Sequence, residues 1–415
     1  MNATRVKIAC YLTNVSMATT ANLSPLLFLT FRELYGLSFS MMGLLILLGF
    51  VTQLAIDLVF SFFSHKFNIT LTVRLLPAIS VVGLVVYAVL PLLFPSLAFI
   101  GIILGTLIFS LAGGLAEVLI SPVIAALPSD NPDHEMSKLH SVYAWGVVAV
   151  VLFSTLFLWG VGKNNWFFLP LVLALIPLFS FFAFLGADIP ALKTENVTAG
   201  EGAKLLKNGT LWLCVIAIFM GGATECTMAQ WASSYLEQSL ALPKVYGDIF
   251  GVALFSLFLG LGRTLYSKFG KKVELVMFLG SVGASICYLV AAVTPFAILG
   301  LVACALTGFC SSMLWPGSLI SAENKVASGG VFLYAIMAAG GDMGASVAPQ
   351  LVGIVSDAVA SSDFGLSLAS SLALTPDQIG MKAGMLVALI FPILASVCFA
   401  LLMKKPDKPS LLNEK

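Results

Sequence analysis

The sequence predicts an all-α membrane protein with twelve transmembrane helices arranged as two halves of six. Of its 415 residues, 59% are hydrophobic and only 10% are charged, whereas soluble domains carry about 25% charged residues. The mean hydropathy is +1.03, so a water-soluble fold would leave a largely apolar surface. The apolar residues form twelve runs, and a run of roughly 20 such residues can cross a bilayer as a helix.

Each run is predicted as one span because short polar or Gly/Pro-containing segments separate it from the next. Arg5 and Lys7 precede the first run, as in a signal peptide. That run continues past about twenty residues without a small-residue cleavage site, so it is interpreted as a first spanning helix. The predicted spans are 8–31, 39–63, 71–94, 97–127, 141–161, 166–185, 211–236, 247–265, 273–293, 296–320, 329–355 and 383–403.

A long polar segment near the middle of the chain separates six spans from the other six. The predicted domains are an N-terminal half at 1–187, a cytoplasmic linker at 188–210, a C-terminal half at 211–403 and a cytoplasmic tail at 404–415. Two short sequence echoes indicate a repeat. Lys66 and Lys268 follow the second and eighth spans 202 residues apart, and Pro122 and Pro316 lie late in the fourth and tenth spans.

The distribution of Lys and Arg predicts the orientation of the spans. With both termini in the cytoplasm, 17 of the 21 basic residues fall on the cytoplasmic side. Cytoplasmic loops of membrane proteins carry such an excess. The sequence therefore predicts a multi-pass protein of the inner membrane with both termini in the cytoplasm.

Several function classes are excluded by composition and by motifs. The net charge of +1, with no basic stripe, argues against a nucleic-acid partner. The seven cysteines form no CxxC pair, so free thiols are expected, with no metal site and no cofactor. HExxH, GxSxG and phosphate-loop motifs are absent from the sequence, so an enzyme is not expected. The expected partners are a small-molecule solute, a proton and the lipid bilayer, and the protein is expected to act as a monomer.

The segment 262–272 (Gly-Arg-Thr-Leu-Tyr-Ser-Lys-Phe-Gly-Lys-Lys) and the six-plus-six organisation resemble the major facilitator superfamily over the whole chain. Ser267 replaces a common aspartate, and the N-terminal copy of the motif keeps only His65 and Lys66. The resemblance implies the facilitator fold, with a gating loop between two spans. The alternative is a basic anchor that any membrane protein could have. The gating-loop residues implied are Gly262, Arg263, Lys268, Gly270 and Lys271.

Two further stretches resemble the fucose permease group, the fucose–galactose–glucose:proton symporters. They are 117–122 (Glu-Val-Leu-Ile-Ser-Pro) in the fourth span and 313–316 (Met-Leu-Trp-Pro) in the tenth. Ser121 replaces the usual asparagine, and Ser24 and Pro25 stand where the group has an acidic residue in the first span. The resemblance implies a sugar-like solute and a proton-binding role for Glu117.

Three acidic residues fall deep within spans, namely Glu117, Glu225 and Asp342. An ionisable group inside a membrane is costly, so each is a candidate for proton coupling. A desolvated carboxyl group can bind and release a proton near neutral pH. The alternative is a carboxyl group that hydrogen-bonds a neighbouring helix and holds the bundle together. Asp57 lies near the end of its span, where contact with the basic loop is expected.

Polar and aromatic residues inside the spans are candidates for solute binding. No Lys or Arg is predicted in the middle of a span, which disfavours anionic solutes and leaves neutral or cationic ones. Amides and aromatic faces suit a neutral sugar, although the aromatic residues are equally well explained by packing. The predicted substrate-binding residues are Asn14, Asn22, Tyr143, Gln230, Trp231 and Trp315.

The sequence therefore predicts a secondary active transporter that moves a small neutral, sugar-like solute by alternating access, coupled to protons. The alternative on the same fold is a proton-driven exporter of amphipathic cations or metabolites, which the same carboxylates would serve.

Overall fold

The computed structural model describes residues 3–63, 66–128, 132–190, 206–326 and 330–407. Helices account for most of these residues and no strand occurs among them, which confirms the predicted all-α class. His65, most of the predicted linker at 188–210 and the end of the predicted tail at 404–415 lie outside the described residues.

Sixteen helices are labelled here in chain order. A single turn at Lys244–Tyr246 and a π-helix at Gly247–Ala253 lead into the ninth of them. The labelled helices are α1 (Ala3–Tyr35), α2 (Phe39–Phe63), α3 (Ile69–Leu93), α4 (Ala98–Ala125), α5 (Pro132–Val161), α6 (Phe168–Leu173), α7 (Leu175–Leu185), α8 (Gly209–Leu240), α9 (Leu254–Phe269), α10 (Val273–Val293), α11 (Ala297–Ser311), α12 (Leu314–Lys325), α13 (Gly330–Ala360), α14 (Asp363–Leu372), α15 (Pro376–Ala388) and α16 (Ile390–Met403).

Eleven helical stretches in the described part of the chain are long and apolar enough to cross a membrane. The first of them is Phe39–Val59, so α1 is the predicted span that falls outside this set. It has 33 residues and therefore a length of roughly 50 Å at 1.5 Å per residue, well beyond a bilayer core. Its buried Thr, Asn and Ser side chains lower its apolarity without shortening it.

Prolines divide three of the spans into two helices each. Pro177, Pro316 and Pro392 lie just after the breaks between α6 and α7, α11 and α12, and α15 and α16. Proline has no backbone N–H, so the carbonyl four residues earlier loses its helical donor. At Pro316 the carbonyl affected is that of Ser312.

Matching hydrogen bonds support the internal repeat. The Tyr87 hydroxyl of α3 bonds the Ser24 hydroxyl of α1 at 3.0 Å. The Tyr288 hydroxyl of α10 donates to the Thr224 carbonyl of α8 at 2.8 Å. Thr224 and Tyr288 lie 200 and 201 residues after Ser24 and Tyr87. The same polar link therefore joins the first and third spans of each half.

Close helix packing repeats at the same offset. A methyl group on Gly83 would lie 2.6 Å from the Phe109 backbone nitrogen, and one on Gly283 would lie 2.8 Å from the Cys310 sulfur. Gly283 and Cys310 follow Gly83 and Phe109 by 200 and 201 residues. In each half, a glycine thus allows the third span to approach the fourth closely.

The chain forms two compact units. One comprises Met1–Glu195 with Pro243–Ile249, and the other comprises Asn196–Leu242 with Phe250–Lys415. Within the first, α3 packs along α4 and α1 packs on α5 and α7. Within the second, α8 packs along α13 and also contacts α11, α12, α15 and α16. Helix α8 is therefore the central helix of its unit.

Candidate functional site

An ion pair lies inside the C-terminal unit, at the midpoint of α8. Arg263 of α9 donates through Nη2 to Oε1 of Glu225 at 3.1 Å and to Oε2 at 3.3 Å. The Arg263 side chain is 44% exposed and that of Glu225 is 14% exposed. The pair thus combines a sheltered carboxylate with a cation that is still accessible.

The break in the tenth span holds the guanidinium in place. Nε of Arg263 donates to the Ser312 carbonyl at 3.0 Å, the carbonyl that Pro316 leaves without a helical donor. Gly262 precedes Arg263, and a methyl group on it would overlap the Ser312 side chain. The absence of a side chain at Gly262 therefore lets α9 approach Ser312 closely, so that Arg263 reaches both the Ser312 carbonyl and the Glu225 carboxylate.

Trp315 lies beside this ion pair. A methyl group on Gly222 would come within 2.9 Å of the Trp315 ring, and one on Gly341 would overlap that ring. Glu225 is one helical turn after Gly222, and Asp342 directly follows Gly341. The indole of Trp315, which is half-buried, therefore packs between α8 and α13 at the level of the two carboxyl groups.

Asp342 belongs to the same cluster. It is 7% exposed, and its charge, like that of Glu225, acts on the thiol of Cys226. The structure thus brings together two acidic residues that were predicted separately on the seventh and eleventh spans. Within the described residues, no three metal-ligating side chains gather.

The predicted gating loop is shorter than expected. Gly262, Arg263 and Lys268 are helical residues of α9, so the connection to α10 consists of 270–272. Gly270 caps α9 by donating its N–H to the Tyr266 carbonyl at 2.7 Å, and Lys271 is exposed. The Arg263 side chain contacts Glu225 instead of this connection. The prediction of a neutral solute relied on the absence of a cation in mid-span, and that reason no longer holds.

The N-terminal unit carries a second acidic site. Glu117 is exposed although residues 112–116, 119 and 120 of α4 are buried. Gly113 and Gly114 allow α2 to pack closely, because methyl groups there would lie 2.9 Å from the side chain of Gln53 and 3.1 Å from its backbone. One turn further along α2 is Asp57, whose charge interacts with that of Glu117.

Asp57 has surroundings different from those predicted for it. Its Oδ1 is buried and has no hydrogen-bond partner among the described residues, and the nearby charge is another carboxylate. The expected contact with the basic loop is not observed, and His65 of that loop lies outside the described residues.

Two predicted substrate-binding residues link helices through hydrogen bonds. The indole nitrogen of Trp231 donates to the Pro349 carbonyl at 3.0 Å, and the Trp231 side chain is fully buried. The Asn14 amide donates to the Leu139 carbonyl at 3.0 Å and links α1 to α5. Both side chains therefore link helices. Full burial favours packing over solute contact for Trp231, whereas contact of Asn14, 7% exposed, with solute stays a prediction.

The remaining predicted substrate-binding residues are half-buried or almost fully buried. The half-buried Asn22 donates its amide to the Ala18 carbonyl of its own helix at 2.8 Å. Tyr143 is half-buried on α5, and Gln230 is 9% exposed on α8. Asn14, Asn22 and Tyr143 belong to the N-terminal unit, whereas Gln230 and Trp315 belong to the C-terminal unit.

Comparison with known proteins establishes the fold. A bacterial homologue of the human lysosomal transporter Spinster has 13% identity, a TM-score of 0.74 and 97% coverage of both chains. A D-xylose–proton symporter has 14% identity and a TM-score of 0.70, covering 94% of this chain and 97% of its own. The E. coli fucose:proton symporter has 13% identity and a TM-score of 0.56, with 94% and 98% coverage.

Such low identities establish the facilitator fold and leave the fucose permease grouping unconfirmed. A comparison with curated protein sequences gives no match. The model of the Major Facilitator Superfamily matches residues 9–349, which is most of the chain. The predicted all-α facilitator fold and the prediction of a transporter are thereby confirmed, and the chain belongs to the major facilitator superfamily.

Proposed function

We propose that this transporter is coupled to protons and carries a small sugar-like solute across the inner membrane, with both termini in the cytoplasm. The observation that carries the proposal is the exposed side chain of Glu117, which lies within a largely buried stretch of α4. A carboxyl group inside a membrane-spanning helix is costly unless it has a role or a partner. Glu117 is accessible, so protons can reach it.

The neighbouring Asp57 supports a proton-binding role. Two carboxylates whose charges interact repel each other when both are ionised. A state in which the pair holds one proton relieves that repulsion, and such pairs titrate together. The negative charge of Asp57 thus helps Glu117 to hold a proton.

A sugar-like solute is supported by the resemblance to the fucose permease group and by similar structures. The D-xylose–proton symporter and the fucose:proton symporter share this fold. Trp315 offers an accessible aromatic ring of the kind on which sugar rings stack, and Asn22 adds a half-buried amide.

The test uses purified protein in proteoliposomes with an inward proton gradient and a panel of radiolabelled pentoses and hexoses. We expect accumulation that disappears in Glu117→Gln, while gradient-independent exchange persists because the amide keeps the shape of the side chain. The matched control is Asp363→Asn, an exposed acid at the start of α14, which should transport normally.

Unchanged proton-driven accumulation in Glu117→Gln would contradict the proposal. Efflux of amphipathic cations against an inward proton gradient, with no sugar uptake, would favour the exporter instead.

A further inference from the structure

Arg263 has unused hydrogen-bonding capacity. Its Nε and Nη2 donate to Ser312 and Glu225, and in the described chain Nη1 makes no hydrogen bond. With 44% of its side chain exposed, the guanidinium can accept a further anionic partner. Arginine binds carboxylates through two parallel N–H groups, and this geometry favours it over lysine at such sites.

The protonation state of Glu225 controls whether this cation is neutralised. While Glu225 is ionised, the charge of Arg263 is balanced. When Glu225 gains a proton from water, the guanidinium keeps its charge, because arginine does not lose its proton in proteins. The Ser312 carbonyl still holds it in place. An unpaired cation within a span is unfavourable, so an incoming anion would restore the balance.

Arg263 from α9 is the charged group in contact with Glu225, and the thiol of Cys226 on α8 lies near Glu225, Arg263 and Asp342 of α13. Among the described residues, Arg263 donates hydrogen bonds to Glu225 and Ser312, so Asp342 is not its hydrogen-bond partner. The other charged residues on helices packed against α8 lie toward the ends of their spans: Glu323, Lys325, Asp357, Asp377 and Lys382.

We infer that Arg263 binds the carboxylate of an acidic sugar-like solute once Glu225 is protonated, with the ring of Trp315 beside it. This inference rests on the proposed function and specifies its substrate class. Protonation of Glu225 leaves the charge of Arg263 unbalanced, and the carboxylate of the solute neutralises that charge. Proton and solute therefore favour each other's binding. The proton goes to a Glu225 oxygen, and the solute carboxylate takes over the Arg263 contact.

The experiment measures binding to purified full-length protein by calorimetry with two ligand pairs: D-glucuronate and D-glucose, and D-galacturonate and D-galactose. Within a pair, the members differ chiefly in the carboxylate. At pH 5.5 we expect at least one acid to bind tenfold or more tightly than its neutral partner, and this preference should shrink at pH 7.5.

Variants test the roles of Glu225 and Arg263 one at a time. In Glu225→Gln, acid binding should be at least as tight as in the parent and independent of pH. In Arg263→Lys the acid preference should fall at least tenfold, because the paired donors are lost while the charge remains. Lys404→Gln, an exposed cation beyond α16, should behave as the parent.

The inference is overturned if no acid binds better than its neutral partner, or if Glu225→Gln weakens acid binding. Proton-driven uptake of a neutral sugar that requires Glu117, without any preference for acids, would leave the proposed function intact and reject this inference alone.

Discussion

Trp231 illustrates how a single buried donor is expected to affect stability without affecting solute binding. Its indole nitrogen is the donor to the Pro349 carbonyl, and no part of its side chain is exposed. In Trp231→Phe that carbonyl loses its indole donor inside the unit, which costs about 1–3 kcal/mol. We expect a lower thermal midpoint in detergent and an unchanged affinity for solute.

The control is Trp145→Phe on α5, where the side chain is 67% exposed and stability should hardly change. A loss of solute affinity in folded Trp231→Phe would return Trp231 to the binding site.

The acidic residues of the candidate site were predictable from sequence, but their main partner was not. Depth in a span can be counted along the chain, and this identified Glu117, Glu225 and Asp342. The position of Arg263 depends on a close helix approach at Gly262 and on a carbonyl exposed by Pro316. Glycine before arginine is a signal of such an approach, but the partner comes from a distant part of the chain.

At the scale of helices, glycine positions set the separation between neighbouring spans. A methyl group on Gly83 of α3 would lie 2.6 Å from the Phe109 nitrogen of α4, so the two helices must move apart. Overpacking of this kind typically costs about 1–3 kcal/mol. We therefore expect Gly83→Ala to lower the thermal midpoint and the yield of folded protein.

The matched control is Gly160→Ala on α5, because no atom lies within 4 Å of a methyl group added there. Equal midpoints for the two variants would show that α3 and α4 tolerate a wider separation.

The ion pair between α1 and α5 is expected to make stability depend on acid pH. Lys7 donates to Oε1 of Glu135 at 2.6 Å, and the Tyr11 hydroxyl donates to Oε2 at 3.2 Å. The Lys7 hydrogen bond holds the pKa of Glu135 below its usual value. Its stabilisation is therefore present above the unfolded-state pKa, about 4.3, and is lost as the pH falls through the lower folded-state pKa.

Thermal unfolding from pH 6 down to pH 3 tests this prediction. The midpoint of the parent should fall more steeply on the acid side than that of Glu135→Gln, and Lys7→Gln should flatten the curve similarly. Parallel curves for all three proteins would show that the pair adds no stability.

Helix positions followed well from apolar runs, whereas the interruptions within spans did not. Prolines mark candidate breaks in the sequence, but only the geometry of the chain separates the positions where a span divides from those where it does not. The chain divides near Pro316, whereas Pro122 and Pro349 lie inside continuous helices. The short helix α14 was also missed, because Asp363–Leu372 is too short and too polar to be a span.

At the scale of the whole molecule, the number of spans decides where the termini lie. Eleven stretches among the described residues pass as spans by length and apolarity, and α1 would be the twelfth. An odd number would place the termini on opposite sides of the membrane, whereas an even number places them on the same side. The status of α1 therefore determines the topology.

The polar residues of α1 are satisfied within the protein. Thr13 bonds the Ser180 hydroxyl at 2.9 Å, and Ser24 bonds the Tyr87 hydroxyl at 3.0 Å. Paired polar groups that face other helices do not meet lipid, so they do not prevent a helix from spanning. The link from Ser24 to Tyr87 also matches the link between α8 and α10, and α8 passes as a span.

We therefore predict that α1 spans the membrane and that both termini lie in the cytoplasm, the side favoured by 17 of the 21 basic residues. A fluorescent protein that matures only in the cytoplasm, fused separately to each terminus, should fluoresce in both fusions. A periplasmic phosphatase fused after Gly36, which follows α1 directly, should be active. Fluorescence from the C-terminal fusion alone would mean that α1 does not cross the bilayer, and that the chain has eleven spans instead of twelve.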